Sequence, residues 1–339
     1  MKILFDAETP PDVLLFGSLA KDLEKEHDIL FIARDFSETV PLLKSKKIAF
    51  EVIGAHKETK MIGRAYEHIY RMINIIRRLN KTKPDICVHR LSAASHASFM
   101  LRIPSVAIND NEKAKLTSRI ALPFTTKTIF PKAISKSDIK RLFGKPKKTY
   151  FYEGVEEMIY LSDFEPDKNV LDELQIDDHQ KLIVMRPEQP LAHYFRGIEG
   201  LLKPVIRELR FKNQIVLLTR SEKQREEYSK EFGNDLIIPP YAIDAPSLLY
   251  YADLFVGAHG TMSREAWVLG TPTISMYSGD QLAVEKYLVE TSDRYYHTTD
   301  PDEVIDIYVD FMKHKGERAI NSELKNRIIE QILNVAKVK

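Results

Sequence analysis

Short apolar runs alternate along the chain with longer stretches in which apolar residues recur at helical spacing. "KILFDA" is a strand-like run, and the two prolines of the following "ETPPD" lack the N–H that a strand or a helix interior requires. Helical periodicity from Val13 to Lys25, then the run "DILFIAR", completes a strand–helix–strand unit, which implies a parallel sheet. The alternation continues through "AFEVIG", a helical stretch over 64–81, and the short buried strands "DICVH" and "SVAIN", which flank the helix-like "SAASHASFMLR". Within 64–81, Tyr66, Ile69, Tyr70, Ile73 and Ile76 share one helical face, with Arg71, Arg77 and Arg78 off it. "TKTIF" reads as the last strand of this half.

Residues 151–168, "FYEGVEEMIYLSDFEPDK", break the rhythm and are rich in aromatics and acids, as a connection between domains would be. A second series follows: strands "KLIVMR", "QIVLLT", "LIIP", "LFVGA" and "PTISMY", with helical patterns over 197–210, 221–232, 246–251, 262–269 and 280–290. The remainder is helical, and in "DPD" Asp300 suits an N-cap with Pro301 at the first helical position. Neither a solenoid repeat nor a low-complexity segment interrupts the pattern. The prediction is an α/β protein with two Rossmann-like parallel-sheet domains facing across a cleft. The first spans 1–150, the connection 151–168, and the second 169–339, with the C-terminal helix packing toward the first domain. In such sheets ligands lie beyond the carboxyl ends of the strands.

A length of 339 residues agrees with two domains, and 44% apolar against 29% charged residues is an ordinary globular balance. One cysteine excludes a disulfide framework and fits a reducing cytoplasm; Cys87, in "PDICVH", reads as a buried thiol. The opening "MKILFDAE" lacks a signal peptide's apolar stretch, and no apolar run approaches the ~20 residues that span a bilayer. The expected location is cytoplasmic.

Charge sharpens the division. Residues 1–150 carry 28 Lys+Arg against 16 Asp+Glu, whereas 151–339 carry 22 against 33, so a net charge of +1 conceals two oppositely charged halves. Residues 127–148 hold eight cations and one acid, Asp138. Two readings stand: a solvated face, or a peripheral contact with an anionic membrane surface or lipid-phosphate acceptor at the inner face of the membrane. No nucleic-acid recognition motif is present.

Candidate chemistry concentrates in "ADLFVGAHGTMSREAWVLGTPTISMY". A strand empties into Gly257, His259, Gly260 and Thr261, and a helix follows. A helix start presents unpaired N–H groups and a favourable dipole to an anion, and Thr261 and Ser263 add hydroxyls. Glu265, within about the first turn, can accept from ribose hydroxyls. The alternative is an ordinary capped helix with Thr261 as the cap. The sequence has no Walker signature and no G-x-G-x-x-G after the first strand, so neither a P-loop NTPase nor a dinucleotide dehydrogenase is indicated, and without a G-x-S-x-G elbow Ser263 is a weak hydrolase nucleophile.

That segment resembles the donor-nucleotide segment of GT-B proteins, in particular UDP-N-acetylglucosamine 2-epimerase and the peptidoglycan N-acetylglucosaminyltransferase. The resemblance implies a GT-B fold with a UDP-sugar substrate and no cofactor, diphosphate contacts at His259, Gly260 and Thr261, and a ribose anchor at Glu265. "SGDQLAVEKYL" resembles the transferase segment that contacts the donor sugar, which nominates Gln281 and Glu285. Along nearly its full length the chain is similar to domain-of-unknown-function family 354, on "ARDFSETVPLL", "IPSVAINDNEKA", "RIALPF", "MRPE" and "LLYYADLFVGAHGTMSREA".

The chain departs from the epimerase pattern. His89-Arg90-Leu91 stands where that family has His-Gly-Asp, Asn109 where a glutamate follows the next strand, and Met185-Arg186 where a histidine opens a loop. Polar residues gather at other strand ends: Asp6, Glu8 and Asp12 after the first, His56 after "EVIG", Asp110 and Glu112 after "SVAIN", Arg186 and Glu188 after "KLIVM". Each is a cap or a solvated loop residue, or part of a shared rim. As a rim they suit sugar transfer, which needs a base for the acceptor hydroxyl, here Asp110, Glu112 or His56, and cations on the departing diphosphate. Arg186 would serve that diphosphate. "NDNE" offers oxygens to Mg²⁺, but GT-B enzymes usually do without a bound metal, and the histidines lack paired ligand spacing, so no metal is expected. The expected activity is glycosyltransferase-like; an epimerase or hydrolase, or a non-catalytic nucleotide-sugar binder, are the alternatives.

Overall fold

A computed structural model describes residues 1–55, 61–90, 93–188, 200–241, 243–258 and 260–337. In chain order the first elements are β1 (Lys2–Ala7), α1 (Pro10–Leu23), β2 (Asp28–Asp35), α2 (Thr39–Ser45), β3 (Glu51–Ala55), α3 (Met61–Thr82), β4 (Ile86–His89) and α4 (Ala93–Met100). β5 (Ser105–Ile108), α5 (Lys115–Ala121), β6 (Lys127–Pro131), α6 (Lys136–Phe143), β7 (Thr149–Tyr152) and α7 (Glu157–Tyr160) follow. Next come α8 (Asn169–Glu173), β8 (Leu182–Arg186), α9 (Leu202–Leu209), β9 (Gln214–Leu217), α10 (Glu222–Phe232), α11 (Ala245–Tyr251) and β10 (Leu254–Gly257). The chain ends with α12 (Gly260–Val268), β11 (Thr273–Ser275), α13 (Ala283–Thr291), β12 (Tyr295–His297), α14 (Pro301–Phe311) and α15 (Ser322–Lys337).

Two compact units emerge: residues 1–162 together with 321–339, and residues 163–320. The first is built on a wholly parallel seven-stranded sheet, order β3-β2-β1-β4-β5-β6-β7. One face is covered by α1, α7 and α15, through Phe16, Leu19, Ile159, Leu324, Ile328 and Ile332. The other packs Leu4, Ile32 and Cys87 against Ile75 and Leu79 of α3 and the alanines of α4. The second unit holds a parallel five-stranded sheet, order β12-β11-β10-β8-β9, whose central strands are buried under α9 and α14. Both units are therefore α/β with parallel sheets. Buried on both faces, their central strands are continuous apolar runs.

Several elements differ from the sequence reading. β7 follows "TKTIF" as a further strand, and the stretch 151–168 carries the end of β7 and α7 before the unit boundary after Ser162. "LIIP" makes a single bridge, Ile237 to Val216, because the following Pro239 and Pro240 have no N–H to extend a ladder. β12 went unread, being three residues long. The outward face of α3 is formed by Tyr66, Ile69, Tyr70 and Ile73, and the stripe that enters the core is Arg71, Ile75 and Leu79. Pro10 and Pro11 occupy the first turn of α1, where a missing N–H costs nothing, and Asp300 caps α14 by accepting from Asp302 N at 3.0 Å.

In a doubly wound sheet the strand order reverses at one point, and loops leaving the carboxyl ends there diverge to leave a crevice. The reversal lies between β1 and β4 in the first unit and between β8 and β10 in the second.

Candidate functional sites at the two sheet reversals

In the second unit Gly257 and Arg186 are register partners at the carboxyl ends of β10 and β8, and Ala258 N donates to Arg186 O at 3.1 Å. α12 opens at Gly260, so Thr261 lies inside its first turn rather than at the capping position, and Glu265 is in the second turn. Gly260 sits close against two side chains. A Cβ there would run into the Glu285 carboxylate and stand 2.9 Å from Arg264 Nη1. Arg264 and Glu285 are both buried, 3.9 Å apart, and Glu285 also accepts from Leu282 N at 3.4 Å, which ties the start of α13 to the start of α12. Glu265 is buried, Ser263 fully so, and Thr261 and Gln281 are half-buried. Glu188 is buried, with Oε1 accepting from Leu201 N at 2.9 Å, so its carboxylate anchors the approach to α9. His259 lies outside the described residues.

The reversal in the first unit gathers two arginine-centred networks. Arg71 rises from the buried stripe of α3 and donates to Asp6, to Glu8 Oε1 at 2.8 Å and to the Ile53 carbonyl at 3.0 Å. Arg34 lies 3.8 Å from the other Glu8 oxygen and 3.2 Å from Glu67 Oε2. Arg90, directly after β4, donates to Asp12, to Asp110 Oδ1 at 3.0 Å and to both Glu156 oxygens at 3.1 and 2.7 Å. Asp12 joins the networks, because its second oxygen accepts from the N–H groups of Glu8 and Thr9 at 3.0 and 2.9 Å.

Six carboxylates thus face three guanidinium groups. Burial pushes the Glu8 carboxyl up to about 7 against the pull of Arg71, and the Glu156 carboxyl up to about 7 against that of Arg90. His89, fully buried at the end of β4, is pushed down to about 4 by burial, so its ring stays neutral. Of the two raised carboxyls, Glu156 is buried and Glu8 is partly exposed.

Of the three base candidates, Asp110 belongs to the Arg90 network. Glu112 is half-buried in the following loop, where Asn109 Oδ1 accepts from Asn111 N at 3.1 Å and Asn111 Oδ1 from Lys113 N at 2.8 Å. "NDNE" thus uses its asparagine oxygens to fold itself. His56 lies outside the described residues. Among the described residues no group of three His, Cys, Asp or Glu is arranged to hold a metal ion. The roles of Arg71, Arg90 and Glu156 were not read from sequence. A signal existed for Arg71, which is four and eight residues ahead of the buried Ile75 and Leu79, whereas Glu156 is 66 residues from Arg90 and leaves none.

The family described as "Protein of unknown function (DUF354)" matches residues 1–337. The uncharacterized protein MJ0665 of Methanocaldococcus jannaschii is 32% identical over 319 residues, covering 91% of each chain. The UDP-GlcNAc 2-epimerase of Neisseria meningitidis, solved bound to UDP-GlcNAc, superposes with a TM-score of 0.73 at 13% identity, covering 98% of this chain and all of that one. The glycotransferase of kitacinnamycin superposes at 0.59 and 11% identity, covering 99% and 95%. Identities this low speak to architecture alone, and that architecture is the GT-B fold.

Proposed function

The chain belongs to the DUF354 family, and on that premise we propose that it is a glycosyltransferase-like enzyme that binds a nucleotide-sugar, UDP-linked, at the start of α12. The observation that supports this reading most is the opening of α12 at the β8/β10 reversal. α12 opens at Gly260, where the first helical N–H groups have no intrahelical acceptor, Arg186 ends the neighbouring strand, and buried Glu265 follows one turn on. The neighbouring N. meningitidis structure, bound to UDP-GlcNAc, has the same fold.

In this reading diphosphate oxygens accept from the first N–H groups of α12 and from Arg186, with His259, Gly260 and Thr261 around them. Glu265 accepts from ribose hydroxyls, with Ser263 packed beneath, and Gln281 and Glu285 are on the sugar side. Glu188 is on the same side and holds Leu201 N ahead of α9. A carboxylate of the first unit's rim takes the proton of an acceptor hydroxyl. The freed oxygen attacks the anomeric carbon, the bond from that carbon to the diphosphate oxygen breaks, and the nucleoside diphosphate leaves with its charge met by the N–H groups and Arg186. Asp110, Glu112 and His56 are base candidates. Glu8 joins them, because a base is most effective when its pKa lies near the working pH. The nucleotide-sugar is a substrate and no cofactor or metal enters. The acceptor is anionic or lipid-linked, met in the cytoplasm at the inner face of the membrane.

The test is thermal-shift titration with UDP, UDP-N-acetylglucosamine and other nucleotides, since a ligand of the folded state raises the midpoint. A shift with uridine diphosphates that Glu265→Ala abolishes is expected; no shift with any nucleoside diphosphate sinks the donor site. Turnover of the nucleotide-sugar alone would replace transfer by epimerisation or hydrolysis, and binding without turnover on any acceptor would make the protein a sensor.

A further inference from the structure

The outward face of α3 is apolar where a solvated helix face would be polar. Tyr66, Ile69, Tyr70 and Ile73 stand on it, and Tyr66 is 70% exposed. Across the α3–α4 seam, where His68 Nε2 meets His96 Nδ1 at 3.3 Å, α4 presents Phe99 and Met100, 57% and 62% exposed. The Phe99 ring lies edge-on to Phe124, in the 3-10 turn Leu122–Phe124, with centroids 5.1 Å apart, and the His96 ring is tilted against Phe124 at 4.9 Å. α5, which runs into this turn, adds Leu116, 70% exposed, and Ile120. Among the described residues, nine of the fifteen exposed large apolar side chains fall on this one face. Scattered exposure needs no cause, but concentration on adjoining elements does.

The face has a charged border on one side. On α5, Lys115 and Arg119 form an exposed stripe beside Leu116 and Ile120, each pair one helical turn apart. Arg119 Nη2 reaches the Arg141 carbonyl at 3.5 Å, which joins α5 to the basic stretch of α6. Lys145 and Lys148 donate to the carbonyl of Pro123, next to Phe124, at 3.5 and 3.2 Å. The one acid in 127–148, Asp138, is ion-paired with Arg141, so the border is strongly cationic.

We propose that the α3–α4–α5 face is a membrane-docking surface, in which Tyr70, Phe99, Met100, Leu116 and Phe124 enter the headgroup layer while α5 and α6 engage anionic lipid phosphates. Charge decides the occupant. A second copy seated face to face by a two-fold axis would present the same cation-rich surface, whereas an anionic bilayer offers apolar depth and negative charge together. The strength of interfacial binding grows with buried apolar area and with attraction to anionic lipid, and this face offers both. The inference stands apart from the donor-site reading, since it concerns lipid and not nucleotide.

Co-sedimentation of the full chain with vesicles of phosphatidylcholine alone, and of an equal mixture with phosphatidylglycerol, tests it. Binding to the mixture only, weakened at least tenfold by high salt, is expected, because added ions screen charges beyond about 10 Å. Phe99→Glu with Leu116→Glu should abolish binding, and Lys140→Glu with Lys145→Glu should weaken it at least tenfold, with melting midpoints and nucleotide shifts unchanged. Four results overturn the proposal: no binding to the mixture, equal binding to both vesicles, unchanged binding in the apolar double variant, or a dimer in light scattering that this variant converts to monomer. If the apolar variant melts early, the charge variant decides alone.

Discussion

Replacing Arg90 by Met is the sharpest perturbation of the first unit's rim. The guanidinium makes four close contacts to three carboxylates, those of Asp12, Asp110 and Glu156, all largely buried. Removing one partner of a buried ion pair costs about 3–5 kcal/mol, because the remaining charge is left without compensation. The carboxyls can escape by taking protons, at about 1.4 kcal/mol for each pH unit above their ordinary pKa. At pH 8 that escape costs about 5 kcal/mol per group and at pH 5 about 1, so the deficit should be about 3–5 kcal/mol at pH 8 and fall to about 1–2 at pH 5. The direction follows from Glu156, whose folded pKa of about 7 exceeds its ordinary 4.5. Its contribution to stability is full below 4.5 and is lost as pH rises through 7, and without Arg90 its pKa moves further up. Differential scanning calorimetry suits a two-unit chain, where a single two-state free energy is ill-defined. In a unit of this size 1 kcal/mol corresponds to about 2–4 °C, so the first unit's transition should drop by roughly 6–20 °C at pH 8 and by only a few degrees at pH 5. A drop below about 2 °C at pH 8, or the same drop at both pH values, would show that these carboxylates do not depend on Arg90.

Three further outcomes follow from single contacts. Gly260→Ala places a methyl against the Glu285 carboxylate, so it should cost roughly 1–3 kcal/mol and remove the thermal shift with uridine diphosphates; an unchanged shift would free the helix start from its donor role. Glu8→Gln removes a carboxyl raised to about 7, so the fall in stability between pH 5 and 8 should flatten by up to about 1.4 kcal/mol per unit, read from midpoints across that range. Burial pushes the Cys87 thiol up to about 12, so a disulfide reagent should label it only after unfolding; rapid labelling of the native protein would contradict its burial.

The βαβ rhythm was legible because strands buried on both faces read as apolar runs whatever their neighbours are, and β1, β2, β4, β5, β8 and β10 all do. What failed lay at sheet edges. Thr149–Tyr152 is half-buried along most of its length, and Tyr295–His297 is three residues long, so neither has the continuous apolar signature. α3 carries two apolar stripes, and periodicity cannot tell which one turns inward. The inward stripe is interrupted by Arg71, which burial tolerates only because Asp6 and Glu8 receive it. The glycine turn at 257–260 was visible because strand, turn and helix are contiguous there. Arg90 and its partners are 20, 66 and 78 residues apart, joined only by the sheet order.

One arginine organises much of the first rim. The resemblance to the epimerases implies a small residue between a histidine and an acid after the fourth strand, but here that place is taken by Arg90, with Leu91 after it. A guanidinium there is large enough to span from the first turn of α1 to the loop after β5 and the residue ahead of α7, and it does so through Asp12, Asp110 and Glu156. Pairing alone does not decide which carboxylate can take a proton, since Glu156 is a counter-ion of Arg90 and burial still lifts its carboxyl to about 7. Burial outweighs the paired arginine at Glu8 and lifts its carboxyl to about 7, directly after β1, the strand beside β4, where the side chain is partly exposed. If transfer is the reaction, its pH dependence should be lost in Glu8→Gln and kept in Asp110→Asn; the reverse would return the base to the loop after β5.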